Sequence, residues 1–231
     1  MNQTLFIKDQ NGNLLEGPLS ATTTLLIVLK EPNTGKQSHT DDLNCFWLKD
    51  IVIKKDKGIK KTGGTRFYKV LGAFAKAILN EQDHQDALKQ CAYINLYPFK
   101  GGSVAEGDEQ AQKSYCDIMK DWRENILSEP AGPICFKSSN VEILRNRLAI
   151  IKSALENNIH VAVHTEIFAC LINDAAFKEH LSDGGYYTRG PYLYPCYTYK
   201  NKAKLYAIPH PMRRDLRYDL LEKSLGTTIC P

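Results

Sequence analysis

Four short apolar runs in this chain each lead into polar residues able to do chemistry. LLIVL (Leu25–Leu29) is followed by Lys30, Glu31, Pro32 and Asn33, and CAYINL (Cys91–Leu96) carries Asn95 near its end. HVAV (His160–Val163) leads into His164, Thr165 and Glu166, and LYAI (Leu205–Ile208) into Pro209, His210 and Pro211. Glu31, Asn95 and His210 supply a carboxylate, a carboxamide and an imidazole. Such a set suits acid–base and hydrogen-bonding chemistry on a polar ligand. These residues are far apart in sequence, so the ends of strands sharing one edge must bring them together.

Apolar runs without alternation are what parallel strands buried on both faces look like. In open parallel sheets, ligands bind beyond the carboxyl ends of the strands. Met1–Ala21 reads as a lead-in that admits a hairpin at the Asn11-Gly12 turn. Strands are expected at Thr22–Leu29, Cys91–Leu96, Ile159–Val163 and Lys204–Ile208. Phe67, Val70, Leu71, Phe74, Ile78 and Leu79 recur at helical spacing and predict a helix over Arg66–Leu79. Gln110–Leu127 reads as a second helix. Val141, Leu144, Leu148, Ile151 and Leu155 give a third helical stripe, with Asn140 as its N-cap. Helices are expected again near Glu166–Ile172 and Asp215–Leu225. Tyr186–Tyr199 shows no clear period. The order predicts one domain over residues 1–231, a three-layer αβα fold around a central four-stranded parallel sheet.

Composition narrows the function classes. The longest aliphatic run, LLIVL, is far short of the roughly 20 residues a membrane span needs, and no membrane partner is expected. The N-terminal residues lack a secretory pattern. Seven cysteines, at 45, 91, 116, 135, 170, 196 and 230, are widely spaced without a CxxC. That argues against a zinc ribbon or iron–sulfur cluster and for free thiols in a cytoplasmic protein. His160 and His164 invite a metal reading, but strand residues four apart stand about 13 Å from each other, too far to share an ion. No metal or cofactor is expected. The net charge of +4 is unevenly placed. Lys49–Arg66 holds seven basic and two acidic residues, and Lys200–Arg217 six basic and one acidic. Glu81–Glu129 reverses the balance with ten acidic and five basic residues. Basic blocks on an otherwise balanced chain suggest a side that faces a polyanion.

The ordered strings LKEPN (Leu29–Asn33), YINLY (Tyr93–Tyr97), VAVHTEI (Val161–Ile167) and IPHPM (Ile208–Met212) resemble motifs of the uracil-DNA glycosylase superfamily. There a first strand ends in GQDPY or GMNPG, a later one reads like LLLNT, another like LLWGSHA, and the last ends in HPSP. The match runs from about Thr22 to Leu225. The resemblance implies a monofunctional, cofactor-free DNA-repair glycosylase that flips a base out of the duplex and hydrolyses its N-glycosidic bond. Glu31 would orient the attacking water and offset positive charge on the sugar. Asn95 would read the flipped base, and His210 would hydrogen-bond the leaving base. Phe46 or Trp47 would stack on it. Thr165 would hold a backbone phosphate, and Arg214 would fill the gap left by the base. Arg213, with Lys54 and Lys55 of the lysine-rich stretch, would contact DNA. The expected partner is single- or double-stranded DNA, and the expected state a monomer.

Departures from the pattern keep another class open. Leu29 stands where the family has glycine, Glu31 is one methylene longer than aspartate, and Met212-Arg213 replaces Ser-Pro. The Leu29 and Met212 changes fit a non-catalytic nucleic-acid-binding protein of the same fold, whereas the carboxylate, amide and imidazole together fit the enzyme. Each residue also has a plainer reading. Glu31 fits an exposed loop carboxylate, Asn95 a loop brace, His210 a turn residue, and Phe46 and Trp47 core positions. The tyrosines of Tyr186–Tyr199 fit either a stack for unpaired bases or a loop packed onto the core.

Overall fold

The computed structural model describes residues 23–29, 62–96, 141–188, 192–211 and 216–229. Its strands are β1 (Leu25–Leu29), β2 (Cys91–Asn95), β3 (His160–His164), β4 (Leu181–Thr188), β5 (Pro195–Tyr199), β6 (Ala203–Ile208) and β7 (Leu225–Ile229). Its helices are α1 (Thr62–Leu79), α2 (His84–Lys89), α3 (Val141–Glu156), α4 (Thr165–Leu171), α5 (Ala175–Lys178) and α6 (Tyr218–Ser224). The expected hairpin in Met1–Ala21, the helix at Gln110–Leu127 and the cap at Asn140 lie outside the described residues.

All seven strands join one sheet, in the order β2-β1-β3-β6-β5-β4-β7. The pairs β1–β2, β1–β3 and β3–β6 are parallel, while β6–β5, β5–β4 and β4–β7 are antiparallel. The sheet curls into a half-barrel. This corrects the expected three-layer αβα fold with a central four-stranded parallel sheet. Three further strands extend the parallel pairs, and the sheet is mixed.

The aromatic, proline-containing stretch after Leu181 hid those strands. In β4 the register shifts between Asp183 and Tyr186. Gly185 adopts φ 76°, and its N–H donates to Asp183 Oδ1 at 2.8 Å. A bulge of this kind puts an extra residue into the strand and erases the two-residue period by which strands are recognised. β7 follows α6 with no intervening loop, and its LGTTI sequence carries little apolar signal.

The parallel strands show why their sequences do not alternate. Leu26 and Val28 of β1 enter one core cluster, with Ile151, Ala154 and Leu155 of α3, Ile167 and Phe168 of α4, and Phe177 of α5. Leu25, Ile27 and Leu29 enter another, with Val70, Leu71 and Phe74 of α1, Leu88 of α2 and Leu221 of α6. Every residue of β1 is at most 2% exposed, so both faces must be apolar. Val70, Leu71 and Phe74 from the stripe that predicted α1, and Ile151 and Leu155 from the one that predicted α3, supply those contacts. Each of these helices is closed by an asparagine in the left-handed region, Asn80 (φ 55°) and Asn158 (φ 62°). Asparagine tolerates that conformation better than most residues, which suits a helix end.

Candidate functional site at the carboxyl edge

The register of the parallel strands brings all four run ends into a row. Leu29 pairs with Asn95, Val28 with Val163, and His164 with Ile208. The N–H of Leu96 donates to the carbonyl of Leu29 at 2.8 Å, prolonging the β1–β2 ladder. Across the sheet the strand ends therefore stand in the order Asn95, Leu29, His164, Ile208. His210 follows Ile208 by two residues. Pro209 and Pro211 on either side of it are buried, and two fixed φ angles restrict the histidine's backbone.

The rings of His164 and His210 face each other edge to face, with centroids 6.3 Å apart and planes at 66°. His164 is 7% exposed, and His210 is half-buried. His164 is the N-cap of α4, and its Nδ1 accepts the backbone N–H of Glu166 at 3.3 Å. A ring nitrogen that accepts carries no proton, so neutral His164 holds its proton on Nε2. Thr165, the expected phosphate contact, is the first residue of α4 and half-buried beside this pair. Asn95 ends β2 two strands away. Glu31, Phe46, Trp47, Lys54, Lys55, Arg213 and Arg214 lie outside the described residues. Glu31 follows the last residue of β1 by two positions.

The tyrosines of the unperiodic stretch are mainly structural. Tyr187 and Tyr194 pack edge-on against Phe74. Tyr187 also donates its hydroxyl to the carbonyl of Ala207 at 2.8 Å, tying β4 to the last turn of chain before His210. Burial among Tyr194, Tyr206 and Cys196 raises the Tyr187 phenol well above its usual range, so it stays a neutral donor. Tyr192 lies parallel to Tyr194 at 6.3 Å, and its hydroxyl accepts the N–H of Arg217 at 2.9 Å. Leu193, between them, is 58% exposed.

The two ends of β3 hold different histidines for different purposes. His160, at the amino end, accepts the N–H of Lys204 on its Nδ1 at 3.1 Å. Burial, followed by the charge of Lys204, pushes its pKa below the usual histidine value. The basic segment Lys200–Arg217 is likewise divided. Lys200, Lys202 and Lys204 stand at the start of β6, on the opposite edge of the sheet from His210. Lys200 pairs with Glu156 at 3.7 Å and lies over the Tyr199 ring. Arg217 is held by Asp219 at 2.9 Å.

Among the described residues, no three His, Cys, Asp or Glu side chains are grouped to hold a metal ion. Cys91, Cys170 and Cys196 are in no disulfide. No described helix is long and apolar enough to cross a membrane. The pairing of His164 with His210 was missed from sequence, although His164 ends an apolar run just as Asn95 does. Comparison with protein-family models, curated proteins and solved structures finds no match to the chain.

Proposed function

We propose that this protein is a DNA-repair glycosylase that hydrolyses the N-glycosidic bond of uracil or a related altered base, as a divergent relative of the uracil-DNA glycosylase superfamily. One observation carries the reading. Asn95, the end of β1 that precedes Glu31, and the His164–His210 pair share the carboxyl edge of adjacent parallel strands. That is the edge where such sheets receive ligands.

In this reading the bond between C1′ and the base nitrogen breaks, and its electron pair leaves with the base. Positive charge grows on the sugar and negative charge on the base. The Glu31 carboxylate stabilises the sugar, orients a water toward C1′ and takes its proton as the new C–O bond forms. The carboxamide of Asn95 both donates and accepts, which fits a base edge carrying alternating groups. His210 donates to the leaving base. Phe46 or Trp47 stacks on the flipped ring, Arg214 fills the gap the base leaves, and Thr165, Arg213, Lys54 and Lys55 meet the phosphates.

Leu29 favours a second reading, a nucleic-acid-binding protein without the chemistry. Its side chain is 2% exposed and packs in the same cluster as Tyr93 and Ile208, where the motif has a glycine. Incubation with oligonucleotides carrying uracil or hypoxanthine, scored for abasic sites, separates the two. Glu31→Gln is expected to slow excision by roughly 100-fold or more while DNA affinity stays nearly constant, because its benefit lies in the transition state. Tight DNA binding with no excision of any tested base would select the binding-only reading.

A further inference from the structure

We infer that Tyr187 is a positioning residue of the carboxyl-edge site: its hydroxyl, bonded to the Ala207 carbonyl, sets the path by which the chain reaches His210. Its effect on rate rests on the proposed base-excision reading. Its effect on the path of the chain does not.

A proline in β5 creates the need for that hydroxyl. Strands β5 and β6 pair Tyr197 with Leu205 and Cys196 with Tyr206. The next position sets Pro195, the first residue of β5, opposite Ala207. Backbone groups alternate sides along a strand. The N–H of Lys204 turns to His160 of β3, so Tyr206 and Ile208 turn toward β3, and Leu205 and Ala207 toward β5. The carbonyl of Ala207 thus faces a proline nitrogen, which has no hydrogen to donate. Ala207 is 1% exposed, and a buried carbonyl without a donor is costly. Tyr187 supplies the donor at 2.8 Å from β4, one strand further out.

Packing aims this hydroxyl. The Tyr187 ring is buried, with Tyr206 edge-on at 5.1 Å and Phe74 at 6.2 Å, and its backbone N–H donates to the Tyr194 carbonyl at 3.1 Å. Beyond Ala207, only Ile208 and Pro209 precede His210, and Pro211 follows it. Both prolines have fixed φ. A shift at Ala207 therefore has few torsions in which to be absorbed before it reaches His210. Small misplacements of a reacting group are costly in rate even when their origin is remote.

Tyr187→Phe removes the hydroxyl and keeps the ring. Thermal unfolding and the kinetics of excision from a uracil-containing oligonucleotide would be measured for it and for Phe177→Leu, a core truncation in the other cluster. Both variants are expected to lose Tm. In Tyr187→Phe, kcat should fall about tenfold with KM held within about twofold, whereas Phe177→Leu keeps the wild-type kcat. A Tyr187→Phe variant with wild-type kcat would overturn the inference and leave the glycosylase reading standing. An equal fall in both variants would overturn it too, since rate would then follow stability alone.

If the wild-type protein excises no base, the glycosylase reading fails, and the inference is decided by amide hydrogen exchange and imidazole spectra of the unliganded protein. In Tyr187→Phe the Ile208 amide should exchange faster by a factor at least tenfold larger than those of Leu26 and Val161, which report opening of the sheet as a whole. The His210 imidazole signals, assigned with His210→Asn, should move. Equal acceleration at all three amides, or His210 signals at their wild-type positions, would overturn it.

Discussion

Two histidines four residues apart on β3 make the same kind of bond with different consequences. Both accept a backbone N–H on Nδ1, His160 from Lys204 and His164 from Glu166. For His160 the pH dependence of stability follows. Its folded pKa lies below the ordinary value through burial and the charge of Lys204. The unfolded chain therefore binds the proton more readily, and stability rises with pH across that window. The contribution is complete above about pH 6.5 and falls away as the pH drops through the folded pKa. The urea midpoint of unfolding is expected to decline on acidification from pH 7 to pH 5. His160→Asn, which keeps the acceptor but does not titrate there, should flatten the decline. An unchanged slope would exclude His160 as its source. Residues of this kind were legible because they flank an apolar run, where little else explains a polar side chain. The partner of each ring nitrogen was not legible. A hydrogen bond from Lys204 to His160 depends on which strands are neighbours, and no local pattern encodes that.

Element positions were clearest where burial is two-sided or the helical stripe long. The four apolar runs became β1, β2, β3 and β6, and the helices at Arg66–Leu79 and Val141–Leu155 appear as α1 and α3. Short or interrupted elements escaped: α2 is six residues and α5 four, and β4 is broken by its bulge. α2 nevertheless constrains α1 closely. A Cβ added at Gly72, inside α1, would stand 2.9 Å from Cβ of His84 at the start of α2. Alanine is the better helix former by about 1 kcal/mol, yet that separation leaves no room for it. Gly72→Ala should destabilise the protein by roughly 1–3 kcal/mol, as overpacked sites do. Denaturant unfolding would show it, and a gain in stability would mean that α2 moves aside freely.

On the scale of the whole molecule, the sheet separates the lysines that open one basic segment from the histidine that follows them. The segment Lys200–Arg217 looks like one basic block in sequence, but β6 carries its beginning to one edge and His210 to the other. If the proposed function holds, phosphate contacts supply the sequence-independent part of DNA affinity, and only those beside the bound strand count. Replacing Lys200, Lys202 and Lys204 together with glutamate should change DNA affinity by no more than about twofold at moderate salt, whereas Arg213→Glu with Arg214→Glu should weaken it by roughly tenfold or more. Equal losses in a filter-binding or anisotropy titration would mean that DNA crosses both edges. The strand order also has a meaning in time. β1 is the first of the described strands to leave a ribosome, and its place is between β2 and β3. Leu25 pairs with Cys91 on one side and with His160 on the other. Strands β4, β5 and β6, by contrast, meet close neighbours in sequence and can pair soon after synthesis. Leu25–Leu29, the most apolar segment of the sheet, must therefore wait unpaired on one side until more than half of the chain has been made. Nascent protein is most open to aggregation and chaperone capture during that interval, and the strand that leads to Glu31 is the one left exposed.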